Sequence, residues 1–274
     1  MKEIIVLAKA RTNMITLKSQ QQIAQLRKAG RIVAETYEVI RPHLVAGVTT
    51  AEIDKIAEKY IRSRGAIPSY IGYGAIPAQQ GRPAIPPFPA TICTAVNDVI
   101  CHGIPSSKER LRDGDIIGID IGVHYNGWVG DSCVTFAIGT IDSESRRLLD
   151  VAKRCAEIGI EQALPGNSLN DIGAAIQQYC EAQGYSTVRE YTGHGVGRSL
   201  HEEPYVFHFA QKGPSIKLRP GMVFTVEPMI NAGRPETRVK SDRWTVCTAD
   251  GKRSAQFEHT IAITEGEPEI LTVL

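Results

Sequence analysis

Apolar residues Ile23, Leu26, Ile32, Val33, Tyr37 and Ile40 recur at helical spacing between Ser19 and Leu44. That spacing predicts a helix there, with Pro42 marking its frayed end. A second helix is predicted over Thr49–Arg64, where Thr49 and Glu52 form a T-x-x-E capping box and Gly65 is the stop. A third spans Ser143–Leu164, ended by Pro165-Gly166, and a fourth spans Ser168–Gln183, with Asp171 at the capping-box place and Gly184 as terminator. Strand patterns fall at 91–96, 115–124, 128–138, 222–229, 244–248 and 256–263. Asn126-Gly127 and Asp250-Gly251 read as hairpin turns between strand-like runs. From Gly72 to Pro89, glycines and prolines erase any period, which predicts a loop.

The pattern occurs twice. Gly47–Gly65 aligns without gaps on Gly166–Gly184, with Gly, Ile, Tyr and Gly identical at 47/166, 53/172, 60/179 and 65/184. L-R-D-G-D-I-I-G-I-D at 111–120 matches L-R-P-G-M-V-F-T-V-E at 218–227, which sets Asp120 on Glu227. D-S-C-V-T-F at 131–136 against E-H-T-I-A-I at 258–263 sets Asp131 on Glu258. Each half is therefore expected to run helix, helix, strands, and to place two carboxylates at matching points.

Composition narrows the class. The 274 residues are 42% hydrophobic and 22% charged, which excludes wholesale disorder and collagen. Lys+Arg 31 against Asp+Glu 30 leaves a net charge of +1, so bulk charge gives no support to nucleic-acid binding. The six cysteines include no C-x-x-C pair and predict reduced, buried thiols rather than a disulfide scaffold. No apolar run is long enough for a signal peptide or a membrane span, and the expected location is cytoplasmic.

The chemistry is expected to lie in the carboxylates. With a two-residue turn at Asn126-Gly127, Gly122 faces Asp131 and Asp120 faces Cys133, so Asp120 and Asp131 share one face as diagonal neighbours. Both sit among apolar neighbours, as do Glu227 in V-F-T-V-E-P-M-I and Glu258 before H-T-I-A-I. Buried carboxylates repel and lose hydration unless something positive neutralises them. An arginine could satisfy any one of them. For all four, cations are the better account, and four carboxylates suit two divalent ions. His194 in T-G-H-G-V-G-R, His201 before Glu202-Glu203-Pro204 and His102 in C-H-G-I-P are the unusual histidines. The Pro204 helix breaker excludes an H-E-x-x-H zinc helix. Oxygen-rich ligation with one imidazole suits Mn, Fe(II) or Co better than a closed structural zinc site.

The set Asp120, Asp131, G-H-G-V-G with His194, Glu227-Pro228 and Q-F-E-H-T with Glu258 resembles the metallopeptidases of the pita-bread fold. V-N-D-V-I-C-H-G-I-P at 96–105, G-R-S-L-H-E-E-P at 197–204 and S-A-Q-F-E-H-T at 254–260 resemble the type I methionine aminopeptidases in particular. The resemblance implies an α/β (α+β) pita-bread fold, with pseudo-twofold halves around a central antiparallel sheet. It implies an N-terminal extension over 1–15 and one catalytic domain over 16–274. Two divalent ions (Co, Mn, Fe(II) or Zn) are implied, with Asp120 chelating one, Asp131 and Glu258 bridging both, and His194 and Glu227 completing the other. Glu227 is then also the group that moves the proton to the leaving amine. His201 contacts the carbonyl as charge develops, and His102 hydrogen-bonds the substrate backbone or the tetrahedral intermediate. Cys93, Trp244 and Phe88 match walls of a methionine pocket, and Leu200 stands where an aromatic residue is common. Asn97, Val99 and Ser254 match a monovalent-cation site.

The implied activity is removal of the initiator methionine from nascent polypeptides, with a small second residue preferred. The implied partners are nascent-chain N-termini and the ribosome surface, with no membrane and no nucleic-acid specificity, for a monomer. The alternatives are a pita-bread aminopeptidase of different specificity and a non-catalytic binding module of the same fold. The sequence departs from the family in a lengthened Pro-rich segment at 74–87, which is expected to cover the pocket as a lid.

Overall fold

A computed structural model describes residues 15–78 and 84–274. The expected extension over 1–15 therefore lies almost wholly outside the described residues, as does the tip of the Pro-rich segment.

The four helices form where capping and periodicity place them. α1 (Gln20–Ile40) starts at a capping box between Ser19 and Gln22. It stops short of Leu44 because Arg41–His43 tighten into a 3₁₀ turn around Pro42. α2 (Thr50–Ser63) and α4 (Leu169–Ala182) carry the Thr49/Glu52 and Ser168/Asp171 capping boxes. α3 (Ser143–Glu161) is capped by Asp142 and ends before Leu164.

The first-half strands are β1 (Ile67–Pro68), β2 (Cys93–Val96), β3 (Val99–Cys101), β4 (Ile116–Tyr125) and β5 (Trp128–Ala137). The second half begins with β6 (Ser186–Thr187), β7 (Gly193–Gly195), β8 (Glu202–Val206), β9 (Val223–Val226) and β10 (Met229–Asn231). It closes with β11 (Thr237–Val239), β12 (Val246–Thr248), β13 (Ser254–Gln256), β14 (His259–Ala262) and β15 (Glu269–Ile270). Every strand pairing is antiparallel, but the ladder divides into four sheets and is not one continuous sheet. One carries β1, β4 and β2 with β5 on β4, and another runs β15-β14-β9-β7-β8.

The β4–β5 register is the expected one, with Tyr125 opposite Trp128, Gly122 opposite Asp131 and Asp120 opposite Cys133. Asn126 and Gly127 both take positive φ, 50° and 75°, as a tight primed turn requires. Asp250-Gly251 is a turn but not a hairpin, because β12 pairs with β11 and β3 while β13 pairs with β10. Two predicted strands are broken. The run at 222–229 splits at Glu227-Pro228, where proline has no N–H for a ladder, and the run at 256–263 splits at Phe257-Glu258. The described ends of the 72–89 segment are paired more than its composition suggests. Ile76 and Ile85 exchange backbone hydrogen bonds of 3.0 and 2.9 Å, and Phe88 bonds both Gly72 and Tyr73 at 2.9 Å.

The duplication is visible in backbone hydrogen bonds. Leu111 N–H donates to Val48 O at 2.9 Å, and Leu218 N–H donates to Asn167 O at 2.8 Å. Gly114 N–H donates to Ile138 O at 3.0 Å, and Gly221 N–H donates to Ile263 O at 2.9 Å. Gly114 and Gly221 share φ near 90°, and Thr49↔Arg110 and Ser168↔Lys217 are matching isolated bridges. The matched strand ends are Ile138 and Ile263, so the gapless pairing of 131–136 on 258–263 does not extend to them.

Each half has its own core. Ile32, Val33, Tyr37, Ile53 and Ile61 pack on Ile117, Ile119 and Ile121 in the first. Leu148, Cys155, Ile172 and Ile176 pack on Phe224, Val226 and Ile261 in the second. Side-chain and backbone bonds stitch the halves together: Ser132 Oγ to Glu258 O at 2.6 Å, Thr260 Oγ1 to Asp131 O at 2.7 Å, and Glu258 N–H to Cys133 O at 2.8 Å. All six cysteines are free and buried. Among the described residues no helix is long and apolar enough to cross a membrane.

Candidate metal centre

Asp120 from β4 and Asp131 from β5 meet Glu227, just after β9, and Glu258, just before β14. Asp131, Glu227 and Glu258 are 3%, 7% and 3% exposed, while Asp120 keeps a partly open face. Burial is the first cause that pushes all four carboxyls up. Asp120 rises to about 7, tempered by a hydrogen bond from Tyr70. Asp131, Glu227 and Glu258 also rise well above the usual carboxylate range, because neighbouring carboxylates add to burial. Among the described residues no lysine or arginine pairs with any of the four. The ion-pair partner that reaches them is His194, whose Nε2 lies 3.6 Å from Asp131 Oδ2 and 3.5 Å from Glu227 Oε1.

The state of His194 follows from its surroundings. Burial lowers its pKa to about 4, so the ring is neutral. Its Nδ1 faces Gly195 O at 3.1 Å, and a carbonyl only accepts, so the proton sits on Nδ1. Nε2 then presents a lone pair to the carboxylate oxygens. Once the carboxyls ionise, acceptors face acceptors with no proton between them, which is the donor set a divalent cation resolves. Asp131, His194 and Glu258 offer ligand atoms within 4.8 Å of one another. Asp131 turns Oδ2 to His194 and Oδ1 towards Tyr70, on the Asp120 side, as a carboxylate shared by two cations would.

Supporting contacts fix these groups. Thr225 Oγ1 donates to Glu227 Oε1 at 2.6 Å and accepts from His194 N–H at 3.0 Å. Gln256 Nε2 donates to Glu227 Oε2 at 3.3 Å, and the Glu227 N–H donates to His208 Nε2 at 3.1 Å. Glu202 accepts from the N–H groups of Arg198 and Ser199 at 2.7 and 3.1 Å, and Lys18 pairs with it at 2.6 Å. Glu202 thereby clamps the turn that presents His201.

The predicted site residues converge. The rings of His194 and His201 lie 4.0 Å apart. His201 Nδ1 meets Tyr73 Oη at 2.6 Å. His102, at φ 54°, packs edge-on against Tyr191 and Trp244, and burial lowers its pKa to about 4. Burial, His194 and His102 push His201 down too, so all three imidazoles are neutral near pH 7. Phe88, Cys93 and Leu200 share one apolar cluster with Tyr70, and Trp244 packs against it. Cys93 sits opposite Asp120 in the β2–β4 ladder, so this pocket borders the carboxylates. Asn97 and Ser254 are joined by a 2.9 Å backbone bond, with Val99 starting β3 two residues on. His259 turns away to Thr272 at 2.8 Å, as its place after Glu258 requires. Sequence reasoning missed the supporting places of Tyr70, Tyr73, Thr225, His208 and Gln256; Thr225 and Gln256 fall inside predicted strands, and the other three lie in no periodic pattern. The one available signal was their position within a few residues of a ligand or of the glycine-rich segment.

A duplicated antiparallel fold with a buried Asp/Asp/His/Glu/Glu cluster defines a class. The chain belongs to metallopeptidase family M24, whose family model matches residues 24–265. Its relatives narrow that class to the methionine aminopeptidases. It is 45% identical over 259 residues to methionine aminopeptidase 1 of Bacillus subtilis (strain 168), covering 94% of this chain and 99% of that one. The crystal structure of methionine aminopeptidase from Rickettsia prowazekii superposes with a TM-score of 0.88 at 41% identity, over 95% of this chain and 100% of that one. Prolidase from Pyrococcus furiosus shares the fold, with a TM-score of 0.72 at 21% identity, over 95% of this chain and 66% of that one.

Proposed function

We propose that the protein removes N-terminal methionine from peptides and nascent polypeptides. It does so as a metal-dependent aminopeptidase whose two divalent cations are held by Asp120, Asp131, His194, Glu227 and Glu258. The observation that carries this reading is the Nε2 lone pair of His194 aimed at carboxylates with no basic residue among them, beside an apolar pocket. Co, Mn, Fe(II) and Zn are the candidate ions. When bound, such a pair supplies an activated water and polarises the scissile carbonyl.

The chain's own residues bind, orient and move protons. Phe88, Cys93, Leu200 and Trp244 enclose the methionine side chain, with the Cys93 sulfur a soft partner for a thioether. His201 and His102, both neutral, donate N–H bonds to oxygen atoms whose charge grows during the reaction. A buried carboxyl with a raised pKa is a suitable proton carrier, and Glu227 takes that role towards the leaving amine. Asn97, Val99 and Ser254 would hold a monovalent cation, partly through carbonyl oxygens. The enzyme acts as a cytoplasmic monomer on chain N-termini at the ribosome surface, with residues 16–274 as one catalytic unit. The stem of the 74–87 segment narrows the pocket mouth, since Trp244 Nε1 donates to Pro86 O at 2.8 Å and Arg243 reaches Ala84 O.

The test is hydrolysis of Met-Gly, Met-Ala, Met-Val, Met-Leu and Met-Lys peptides by chelator-treated and Mn(II)-loaded protein. Cleavage is expected only with metal, and only before small residues. Full hydrolysis in verified metal-free protein overturns the mechanism, and equal rates for Met-Lys and Met-Ala overturn the specificity.

A further inference from the structure

Tyr70 touches both aspartates of the first half, and no motif or relative's name assigns it a role. It follows β1, which pairs with β4 so that Pro68 lies opposite Val123 and Ser69 N–H donates to Gly122 O at 2.9 Å. This pairing lays the Tyr70 ring across the face that carries Asp120 and Asp131. Gly122 leaves the room: a Cβ there would stand 3.0 Å from Tyr70 Cζ and 3.1 Å from Cε1. Phe88 meets the ring edge-on at 6.2 Å between centroids, and the side chain is buried. The phenol oxygen reaches Asp120 Oδ1 and, at 2.7 Å, Asp131 Oδ1.

The two sides of the centre are therefore unlike. One offers His194 and Glu227, and the other offers Asp120 with a phenol against it. Two facing carboxylates repel, and nothing in their own β4–β5 ladder draws these two oxygens together. A neutral O–H between them holds both without competing for the cation as a charge would.

We propose that Tyr70 is a positioning residue of the metal centre, keeping Asp120 Oδ1 and Asp131 Oδ1 convergent and so setting the cation affinity of the Asp120 side. This rests on the two-cation reading above. Hydrogen-bond partners of metal ligands are worth about 10–100-fold in metal affinity.

The experiment is calorimetric titration of chelator-stripped protein with Mn(II), using wild type, Tyr70→Phe and Gly122→Ala. Phenylalanine keeps the ring and its Phe88 contact, and melting temperatures of the stripped proteins check the fold. Wild type is expected to bind in two steps. Tyr70→Phe weakens one step by about 10–100-fold and leaves the other unchanged. Gly122→Ala keeps the hydroxyl but displaces the ring, and produces the same selective loss. Two steps that Tyr70→Phe leaves unchanged, or lowers together, overturn the role of Tyr70. A wild type that binds fewer than two cations overturns the reading beneath it, and the inference with it.

Discussion

Relative to the metal-loaded protein, the metal-free protein should lose stability as pH rises from about 6.5 to about 7.5, against the opposite pull of its histidines. In an unfolded chain carboxyls titrate near 4 and imidazoles near 6.5. The folded, metal-free centre holds protons well above that: Asp120 titrates at about 7, and burial and mutual repulsion carry Asp131, Glu227 and Glu258 up as well. Above about pH 6.5 the folded carboxyls hold protons that they have already lost in the unfolded chain, so their contribution to stability falls with pH. The histidines act in the opposite sense. His102, His194 and His259 are held at about 4 and His208 at about 3, while an unfolded imidazole is still half protonated near pH 6.5, so each adds about 0.35 kcal/mol across the window whether or not metal is bound. Ending near pH 7.5 keeps the window below the range where thiols of an unfolded chain ionise. Across that unit Asp120 alone accounts for a loss of about 0.7 kcal/mol, and the other carboxyls act in the same direction. For a chain of this size Asp120 by itself is a difference in Tm of roughly 1–3 °C between the two arms. The assay is scanning calorimetry in chelator at matched ionic strength, repeated with saturating Mn(II). Cations occupy the deprotonated carboxylates, so the metal arm should lose this slope or invert it. A metal-free Tm that does not fall relative to the Mn(II) arm across the window would refute the picture of proton-holding carboxyls.

Three other outcomes are expected. Asp131→Asn and Glu258→Gln should each abolish hydrolysis of Met-Ala-Ser, and near wild-type turnover by either would remove that carboxylate from the bridge. His102→Ala should retain its metal by elemental analysis while kcat falls by about 10²-fold; a metal-free variant would place His102 among the ligands. Replacing Gly74–Pro87 by two glycines should leave metal content unchanged but alter KM or the preference among Met, norleucine and Leu, because Trp244 loses its bond to Pro86. Unchanged KM and preference would mean that the segment faces elsewhere.

The helices and the β4–β5 hairpin were legible because their signals are local. A Thr-x-x-Glu box caps a helix wherever it folds, and Asn-Gly fixes a register that then places Asp120 and Asp131 on one face. The repeat was legible for the same reason, since its glycines mark turns that both halves need. The β7–β8 hairpin was not. Gly193–Gly195 has no apolar alternation, and its pairing with β8 shifts register between His194 and Gly195. Glu227 and Glu258 were pictured inside continuous strands. They stand at breaks, where the chain is free to turn a carboxylate away from the ladder. Tyr70 was invisible because its partners are 50 and 61 residues away, and only β1–β4 pairing brings them together.

The stitches between the halves constrain how substrate can arrive. Ser132, Thr260 and the Glu258 N–H tie Asp131 and Glu258 to each other's strands. The gap between the halves is thus the ruler that spaces Asp131 from Glu258, and a hinge along it would pull the two carboxylates apart each time it opened. A clamshell motion is therefore closed to this molecule. Traffic has to pass over the rim formed by Tyr73, His201, Trp244 and the stem of the Pro-rich segment, and turnover can be tuned there by side chains that never disturb the spacing beneath.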